Sequence, residues 1–421
     1  LCDEAAEVLP IFNDKSTERR CYFNKEAALA LKARALAYQA SPLFNGNPDY
    51  TNFVNKNGEP LFSTTVDKEK WRLAAEAAEA VIELCKESGK KLVDNQTAVT
   101  PLQTHMANIE ASVQTFNYTS DEALLMVKTA PYDYDMSWQY YMPSVKNDPN
   151  KNLPGTCLSP SMKMVEMFYT ENGLPISQDP AWIGSGNPYN LGEETDPKYT
   201  DVVMLGKTIP NLHRRREPRF YASINFNGQQ WRGRQLEFWQ GGKDGINVSK
   251  VDYCCTGYLL RKTADEGVDV INGKGGMKEA SILFRVGSLY LDYAEALNEA
   301  EGPVDDVYKY VDAIRKRAGL PGLAKGLDKD KMRERIQHER QIELAFEAGH
   351  RYFDCHRWKI AEKTDNGYMH GMNITATNKV DYSKRSTVGD SRVFEKKHYL
   401  FPIPQSEMDK RIGLVQSPYW E

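Results

Sequence analysis

The sequence has little of what marks several common classes of protein. Across 421 residues no stretch approaches 18 consecutive uncharged apolar residues, which excludes a membrane-spanning helix. Seven cysteines, an odd number at wide spacing and without a C-x-x-C pair, exclude a disulfide framework or a cysteine zinc site, and we expect buried thiols. Lysine and arginine number 54 against 58 aspartate and glutamate, and this net charge of −4 offers no basic excess for nucleic acid.

Catalytic and cofactor motifs are also missing. His338-Glu339 is followed by Arg340, so the H-E-x-x-H zinc pair is not formed, and no G-x-S-x-G or G-x-G-x-x-G occurs. Asp148, Asn150 and Asn152 have the spacing of a calcium loop, but the glycine at its sixth position and the glutamate at its twelfth are lacking. We therefore expect no catalysis, no cofactor and no metal site, while bound calcium stays an open question.

A glycosidase needs only two facing carboxylates, so 58 acidic residues leave that alternative open. Glu339 and Glu343 share one face of a predicted helix, with Arg335 and Arg340 beside them. We expect internal ion pairs there rather than a catalytic pair.

The segment from Arg214 to Trp231 carries two further patterns. The basic run Arg214-Arg215-Arg216, together with Arg219, is expected to lie in a solvated loop, with an anionic ligand as the alternative. After it, residues 220–231 alternate around Asn227-Gly228, which predicts a β-hairpin.

Helical periodicity dominates both ends of the chain. Seven apolar positions fall on one face of a predicted helix, namely Trp71, Ala74, Ala75, Ala78, Val81, Ile82 and Cys85. Further helices are predicted at 26–40, from 286 to the break at Gly302-Pro303, at 304–318, at 328–348 and after Gly349. Paired helices with short turns indicate tetratricopeptide-like hairpins, although no clean 34-residue repeat is present.

These patterns predict a mainly α fold, a tetratricopeptide-like scaffold of helix pairs with long irregular loops and small β-hairpins. The scaffold is expected at 24–90 and 280–365. Between them, from about 100 to 280, the chain is rich in Pro, Gly, Asn and Tyr and is predicted to face a ligand, because irregular segments of this length are usually functional.

Several segments together resemble the SusD/RagB family, surface lipoproteins that pair with SusC-type TonB-dependent outer-membrane transporters. They are LALKARALAYQASPLFNGN (29–47), WRLAAEAAEAVIEL (71–84), SPSMKMVEMFYTENGLPI (159–176), EPRFYASINFNGQQW (217–231), GYLLRKT (257–263), ILFRVGSLYLDYAEALNEAEG (282–302), ERQIELAFEAGHRYFDCHRWK (339–359) and HYLFPIPQSEMDKRIGLVQSPYW (398–420). The segments occur in the order of the family and cover essentially the whole chain. Cys355-His356 and Val286-Gly287 depart from the usual residues without altering the expected fold.

The resemblance implies a single domain over 1–421 that ends in a family tail at 390–421. It also implies a lid over the transporter barrel that captures a nutrient, usually an oligosaccharide and in one branch a peptide, without catalysis. Family members carry a lipidated N-terminal cysteine and further helices, whereas this sequence starts at Leu1. We therefore expect an N-terminally truncated chain of a protein anchored by lipid to the extracellular face of the outer membrane.

Ligand contacts are predicted by elimination among the tryptophans. Trp71 is expected in the core, and Trp358 and Trp420 lie in motifs of the family, which leaves the central region. Sugars stack their flat faces on aromatic rings and need polar partners for their hydroxyls. The predicted ligand-binding residues are Tyr132, Asp135, Trp138, Tyr140 and Tyr141, then Trp182 with Tyr189, and Trp239. The alternative is that these rings pack loops onto the scaffold.

Three functions stay open at this point. Glycan binding leads, and peptide binding within the same family would use the same Asn, Gln and Tyr side chains. A glycosidase or a helical-repeat adaptor is the third. A pocket with facing carboxylates roughly 5–10 Å apart would support the enzyme, and an aromatic platform without such a pair would support capture.

Overall fold

The computed structural model describes residues 1–12, 21–113, 120–128, 158–246, 253–262, 264, 280–347, 349–410 and 413–420. In these ranges the α-helices are α1 (Cys2–Val8), α2 (Lys25–Ala40), α3 (Glu69–Glu87), α4 (Pro101–Val113), α5 (Met162–Met167), α6 (Pro218–Ser223), α7 (Val286–Glu301), α8 (Asp305–Arg317), α9 (Lys329–Glu343), α10 (His350–Arg357), α11 (Ala361–Thr364), α12 (Lys379–Tyr382) and α13 (Gln405–Met408).

The strands of the same ranges are short and form antiparallel pairs. They are β1 (Ala123–Lys128), β2 (Leu191–Glu193), β3 (Thr208–Pro210), β4 (Ile224–Phe226), β5 (Gln230–Trp231), β6 (Arg234–Gln235), β7 (Tyr258–Leu260), β8 (Ala280–Arg285), β9 (Gly367–Met372) and β10 (Arg385–Arg392). β1 pairs with β8, β2 with β3, β4 with β7, β5 with β6 and β9 with β10. The predicted mainly α fold with small sheets is confirmed.

The helical scaffold surrounds one apolar core. All seven apolar positions predicted for one face of α3 are buried, from Trp71 to Cys85. α2 presents alanines to this core, among them Ala27, Ala30 and Ala33, and such small side chains allow the helices to approach closely. α7 packs between α3 and α8, so the consecutive helix pairs form one layer.

α9 is shorter than its sequence pattern predicts. It ends at Glu343 and not near residue 348, because Phe346 adopts a left-handed conformation with φ 64°. Gly349, with φ 71°, then starts α10 in a new direction. The turn lets Phe346 pack against a second core instead of the scaffold core.

This second core lies in the region predicted to be loop-rich. α4, α5 and α6 run through it, so the region is partly helical. Its buried rings contact one another directly, with centroids 5.3 Å apart for Phe220 and Phe226 and 4.6 Å apart for His213 and Phe226. Aromatic side chains bury large areas, which explains how a region with few long helices forms a core.

The hairpin predicted around Asn227-Gly228 is wrong, although a turn is present there with Gly228 at φ 94°. Residues 218–223 form helix α6, which begins with a proline at its first turn. β4 pairs with the distant β7, and β5 pairs with β6. The two strands that flank the turn therefore bond to other partners and not to each other.

Two expected features of the chain are visible in the described residues. No helix among them is both long and apolar enough to cross a membrane. Cys85, Cys254 and Cys355 are buried thiols, as expected, whereas Cys2, Cys21 and Cys255 are only partly buried. Cys157 lies outside the described residues.

A smaller core packs the C-terminal part of the chain against α10 and the segment that follows α2. It contains Leu43, Tyr50, Cys355 and Tyr399. The indole of Trp420 donates to the carbonyl oxygens of residues 397 and 400, at 2.7 and 2.9 Å. The indole of Trp358 donates to the Glu295 carboxylate at 2.7 Å. These contacts agree with the structural roles predicted for both tryptophans.

Candidate functional site

The largest predicted group of ligand contacts lies outside the described residues. Residues 129–157 contain Tyr132, Asp135, Trp138, Tyr140 and Tyr141. Their contact with a ligand therefore stays a prediction. The described residues still show where this segment begins and ends.

The described chain stops at the end of β1 and resumes at Leu158, beside β7. Leu260 of β7 donates its N–H to the carbonyl of Leu158 at 3.0 Å, and the Thr256 hydroxyl donates to the carbonyl of Pro160 at 2.7 Å. Thr256 accepts in turn from the N–H of Met372, the last residue of β9, at 2.8 Å. Pro160, which follows the segment, is thus joined through Thr256 to the β9–β10 pair.

Tyr189 lies at the same β9–β10 pair. Its hydroxyl donates to the Glu166 carboxylate of α5, and Arg385 at the start of β10 donates to that hydroxyl at 3.3 Å. Burial and the neighbouring carboxylate raise the pKa of Tyr189 to about 12. The phenol therefore stays protonated at physiological pH, and its half-buried ring keeps an accessible edge.

Trp239 is anchored to the residues that follow β9. The next residue, Gln240, donates its N–H to the carbonyl of Ala376 at 2.9 Å, and the Trp239 ring is half-buried against the second core. The indole N–H of Trp239 is buried and finds no acceptor in the part of the chain that the structure describes. Tyr189 thus contacts Arg385, and Trp239 is held beside the segment 372–385 through its neighbour Gln240. We call this segment, together with Tyr189, Glu166 and Trp239, the hairpin surface.

Trp182 is not part of the hairpin surface. Its side chain is 2% exposed, and its indole donates to the carbonyl of Arg214 at 3.0 Å. The backbone of Gly184 lies against the ring, and the Arg216 guanidinium is 5.6 Å from the ring centroid. These contacts favour the packing alternative for Trp182, and ligand contact by it stays a prediction.

Comparisons with known proteins now bear on this fold and surface. Residues 121–420 match the model of the SusD family. This chain belongs to the SusD family. The resemblance noted in the sequence is confirmed, and the match covers both the scaffold helices α7 to α10 and the hairpin surface.

Solved structures of SusD-like proteins share the fold. BT4246 has a TM-score of 0.84 and 26% identity, over 100% of this chain and 74% of that one. A SusD-like protein (BF3747) from Bacteroides fragilis has a TM-score of 0.69 and 23% identity, over 100% of this chain and 69% of that one. A SusD-like carbohydrate binding protein (BF0978) from the same species has a TM-score of 0.64 and 20% identity, over 97% and 68% of the two chains.

Two curated relatives come from Formosa agariphila. SusD-like protein P25 is 42% identical over 82 residues, which are 19% of this chain and 15% of that protein. SusD-like protein P2 is 29% identical over 154 residues, which are 34% of this chain and 26% of that protein. The aligned segments therefore span about a quarter or less of each curated relative.

The basic run of this SusD-family chain is neither a solvated loop nor an exposed anion site, so the expectation for it is wrong. Arg216 is buried and donates to the carbonyl oxygens of Val165, Phe168, Tyr169 and Leu212, at 2.5 to 3.1 Å. Burial lowers the pKa of Arg216 to about 10, which keeps it charged at neutral pH. Its role is to satisfy carbonyl groups at the end of α5.

The carboxylates Glu339 and Glu343 form internal ion pairs, as predicted, but with other partners. Glu339 pairs with Arg219 at 2.5 Å and with Arg315 at 3.1 Å. Glu343 pairs with Arg285 at 2.8 Å and also with Arg317.

The expected neighbours of those carboxylates bind elsewhere, Arg340 to Asp354 and Asp292 and Arg335 to Gln178. Burial alone would raise the pKa of Glu343, but the surrounding arginines hold it well below its usual range. A carboxylate paired in this way is not poised to act as a general acid.

Metal binding finds no support in the described residues. They contain no group of three or more His, Cys, Asp or Glu side chains arranged to hold a metal ion. Asp148, Asn150 and Asn152 lie outside them.

The sequence analysis missed two residues of the hairpin surface, Glu166 and Arg385. Both contact Tyr189, yet they lie 23 and 196 residues from it along the chain. No local pattern marks such a grouping, because only the fold brings α5, the loop of Tyr189 and β10 together.

Proposed function

We propose that this SusD-family protein binds a nutrient glycan at the cell surface without cleaving it, and delivers it as the lid of a SusC-type TonB-dependent transporter. The observation that carries the proposal is the family match over residues 121–420. The carbohydrate binding named for the structurally similar BF0978 agrees with it. We further propose that a lipid anchor holds the protein at the extracellular face of the outer membrane.

The ligand site that we propose combines the hairpin surface with residues of the segment 129–157. Trp138, Tyr140 and Tyr141 would stack against sugar faces, while Tyr132 and Asp135 would bond hydroxyls. Tyr189 and Trp239 would complete the site from the hairpin surface, and this is supported by the bond from Arg385 to Tyr189 and by the link from Pro160 through Thr256 to β9. Rigid aromatic rings with polar edges suit a ligand whose surface alternates between C–H faces and hydroxyls.

Binding without cleavage is supported by the ion pairs of Glu339 and Glu343, the two carboxylates considered as a catalytic pair in the sequence. Glu339 and Glu343 are buried and paired with arginines, and neither faces an open pocket. A glycosidase needs one carboxylic acid with a raised pKa and a second carboxylate within reach of the sugar. The arginine partners prevent both roles for this pair.

The ligand proposal is tested by calorimetry on Trp138→Ala with the oligosaccharide that a glycan array identifies. We expect a loss of about 2 kcal/mol, or roughly thirtyfold in affinity, with an unchanged melting temperature. Tyr22→Ala, a change at a ring that is 64% exposed and far from 129–157 in the chain, is the control and should bind normally. A lower melting temperature with normal binding would show that Trp138 packs its loop.

Two further measurements address turnover and the kind of ligand. A peptide library screened beside the glycan array separates glycan from peptide binding. Incubation of the protein with its bound oligosaccharide should yield no shorter products. Cleavage above a heat-killed control would overturn the non-catalytic proposal.

The transporter proposal is tested by copurification from outer membranes in mild detergent. A lid that closes and opens needs a broad and mostly polar contact with its barrel. We expect a TonB-dependent barrel at near-equal stoichiometry with this protein. Recovery of this protein alone would contradict the partnership.

A further inference from the structure

Three cations on one part of the surface have no carboxylate partner. Lys163 on α5, Arg351 on α10 and Arg392 at the end of β10 make no ion pair within the described residues. The ammonium of Lys163 donates instead to the carbonyl of Thr364 at 2.6 Å. Many other surface cations of this chain are paired, for example Lys86 with Glu83.

Backbone contacts place Lys163 near Arg392, because Thr364, which accepts from Lys163, lies three residues before Gly367, the partner of Arg392 in the β9–β10 pair. Desolvation lowers the pKa of Lys163, and the charges of Arg351 and Arg392 lower it further, while Asp365 raises it. Asp365 also raises the pKa of Tyr352, after the larger effect of burial. Lys163, Arg351, Arg392 and the Tyr352 ring therefore lie in one area, together with the Asp365 carboxylate.

Exposed aromatic rings border the same cations. Tyr352 is 40% exposed, Phe353 46% and Phe401 74%. The rings of Tyr352 and Phe401 have centroids 6.5 Å apart and planes within 25° of each other. Exposed rings of this size in one patch usually mark a binding surface.

The patch adjoins the hairpin surface through α5. Lys163 and Glu166 are three residues apart on this helix, so their side chains are neighbours on its surface. Glu166 holds the hydroxyl of Tyr189. A ligand that extends from Tyr189 along α5 would reach Lys163 and then the rings of α10.

We propose that Lys163, Arg351 and Arg392, with Tyr352 and Phe401, form a cationic–aromatic surface that binds an anionic part of a glycan. Its carboxylate or sulfate groups would pair with the cations, and its sugar faces would stack on the two rings. The inference rests on the proposed function and specifies its ligand as an acidic polysaccharide. The near-parallel rings and the continuity with the hairpin surface favour a glycan over an acidic protein segment.

The test compares a neutral glycan with acidic glycans and with an acidic peptide. Binding of the full chain to dextran sulfate and to neutral dextran is measured at physiological salt, with polygalacturonate as the carboxylate probe and poly-glutamate as the acidic peptide. We expect affinity for one of the two acidic glycans at least about tenfold above that for neutral dextran. Which of the two binds more tightly identifies sulfate or carboxylate as the recognised group.

Variants assign the binding to this surface. Lys163→Gln, Arg351→Gln and Arg392→Gln combined should lose at least about tenfold in affinity for the acidic glycan. The control removes the same charge elsewhere, at the exposed and widely separated Lys56, Lys91 and Lys207, and should bind as the parent does. Phe401→Ala should weaken glycan binding severalfold and leave the melting temperature unchanged, since the ring is largely exposed.

Each contrary outcome is distinct. Equal losses in the two triple variants, or equal affinity for poly-glutamate and acidic glycan, would overturn the inference. Binding of neutral glycans alone would overturn it and leave the proposed function intact. Binding of no glycan, neutral or acidic, would overturn the proposed function itself.

Discussion

Arginine and lysine are used differently between the two cores and on the surface beside α10. In the interior, Arg219, Arg285 and Arg317 each pair with buried carboxylates that come from distant segments. On the surface, Lys163 and Arg351 form no ion pair with a carboxylate of the residues that the structure describes, and Lys163 donates to the carbonyl of Thr364 instead. The difference teaches that the role of a cation in this fold depends on which segments the topology brings to it, and not on its neighbours in sequence.

The interior network joins elements that belong to different packing units. Arg285, at the end of β8, pairs with Glu122 at 2.5 Å and with Glu347 at 2.7 Å. Arg317 at the end of α8 pairs with Glu122 at 3.1 Å. Replacing a whole buried network by apolar residues is often neutral, but removing one partner leaves a buried charge without compensation.

The largest effect is therefore expected for Glu343→Gln. This substitution keeps the volume of the side chain and removes the negative charge that faces Arg219, Arg285 and Arg317. We expect the free energy of unfolding to fall by about 3–5 kcal/mol, which chemical denaturation measures.

The matched control for Glu343→Gln is Glu83→Gln, which breaks an exposed pair with Lys86. It should cost no more than about 0.5 kcal/mol, because solvent screens exposed pairs. Similar losses in the two variants would show that the interior network does not differ energetically from the surface.

Two tryptophans allow the interior and the surface to be compared without a change of charge. Trp182→Ala empties a buried site and should lower the free energy of unfolding by about 3 kcal/mol. Trp239→Ala removes a half-buried ring and should cost less stability but more glycan affinity. Thermal melts and calorimetry on both variants measure the two effects. Loss of glycan affinity in a folded Trp182→Ala would instead support the ligand contact predicted for this residue.

Acid provides a third probe of the interior. Burial, with help from Arg34 and Arg340, lowers the pKa of His350 to about 4. Between about pH 6.5 and pH 4, the His350 imidazole is therefore protonated in the unfolded chain and neutral in the folded chain. His350 should contribute about 3 kcal/mol to the loss of stability as the pH falls through this window. The buried His213, whose pKa burial lowers to about 3, contributes in the same window, so His350→Gln should reduce the slope and not abolish it.

Glu347 affects the stability in a lower range of pH than His350 does. Burial alone would raise its pKa, but Arg285 and Lys262 outweigh burial and lower it to about 2. Its contribution is present above about pH 4.5 and is lost as the pH falls towards 2. Glu347→Gln should flatten that lower part of the denaturation profile and leave the slope above pH 4.5 unchanged. A variant that changed both windows equally would show that the two groups titrate as one unit.

The sequence predicted the helical scaffold better than the region of the second core for a physical reason. The buried face of α3, from Trp71 to Cys85, could be predicted because its apolar residues recur at helical spacing along the sequence. The ion pair between Arg219 and Glu339 joins residues 120 positions apart, and no local pattern encodes it. The pairing of Glu339 was nevertheless foreseeable, because a carboxylate on an apolar helix face needs a cation.

The candidate site shows the same limit. Tyr189 and Trp239 were predicted from their type and region, and the structure bonds Tyr189 to Arg385 and the residue after Trp239 to Ala376. The contribution of Arg385 could not be predicted, because β10 reaches Tyr189 only through its pairing with β9. Aromatic composition indicates that a binding surface exists, and topology decides which polar groups complete it.

The smallest effect on stability is expected at the turn of Asn227-Gly228. The sequence predicted this turn correctly, but it predicted the wrong pairing for the strands on either side. Gly228 has φ 94°, and a Cβ there would lie 2.6 Å from the Ile209 side chain. Gly228→Ala should therefore cost about 1–2 kcal/mol, from backbone strain and this clash together. Gly186→Ala is the control, because a Cβ there meets nothing within 4 Å, and its stability should change by less than about 0.5 kcal/mol. Chemical denaturation of both variants measures the difference in the free energy of unfolding. If Gly228→Ala left this free energy unchanged, the turn would be able to relax without cost. That is possible because β4 pairs with β7 and β5 with β6, so the turn does not hold two paired strands.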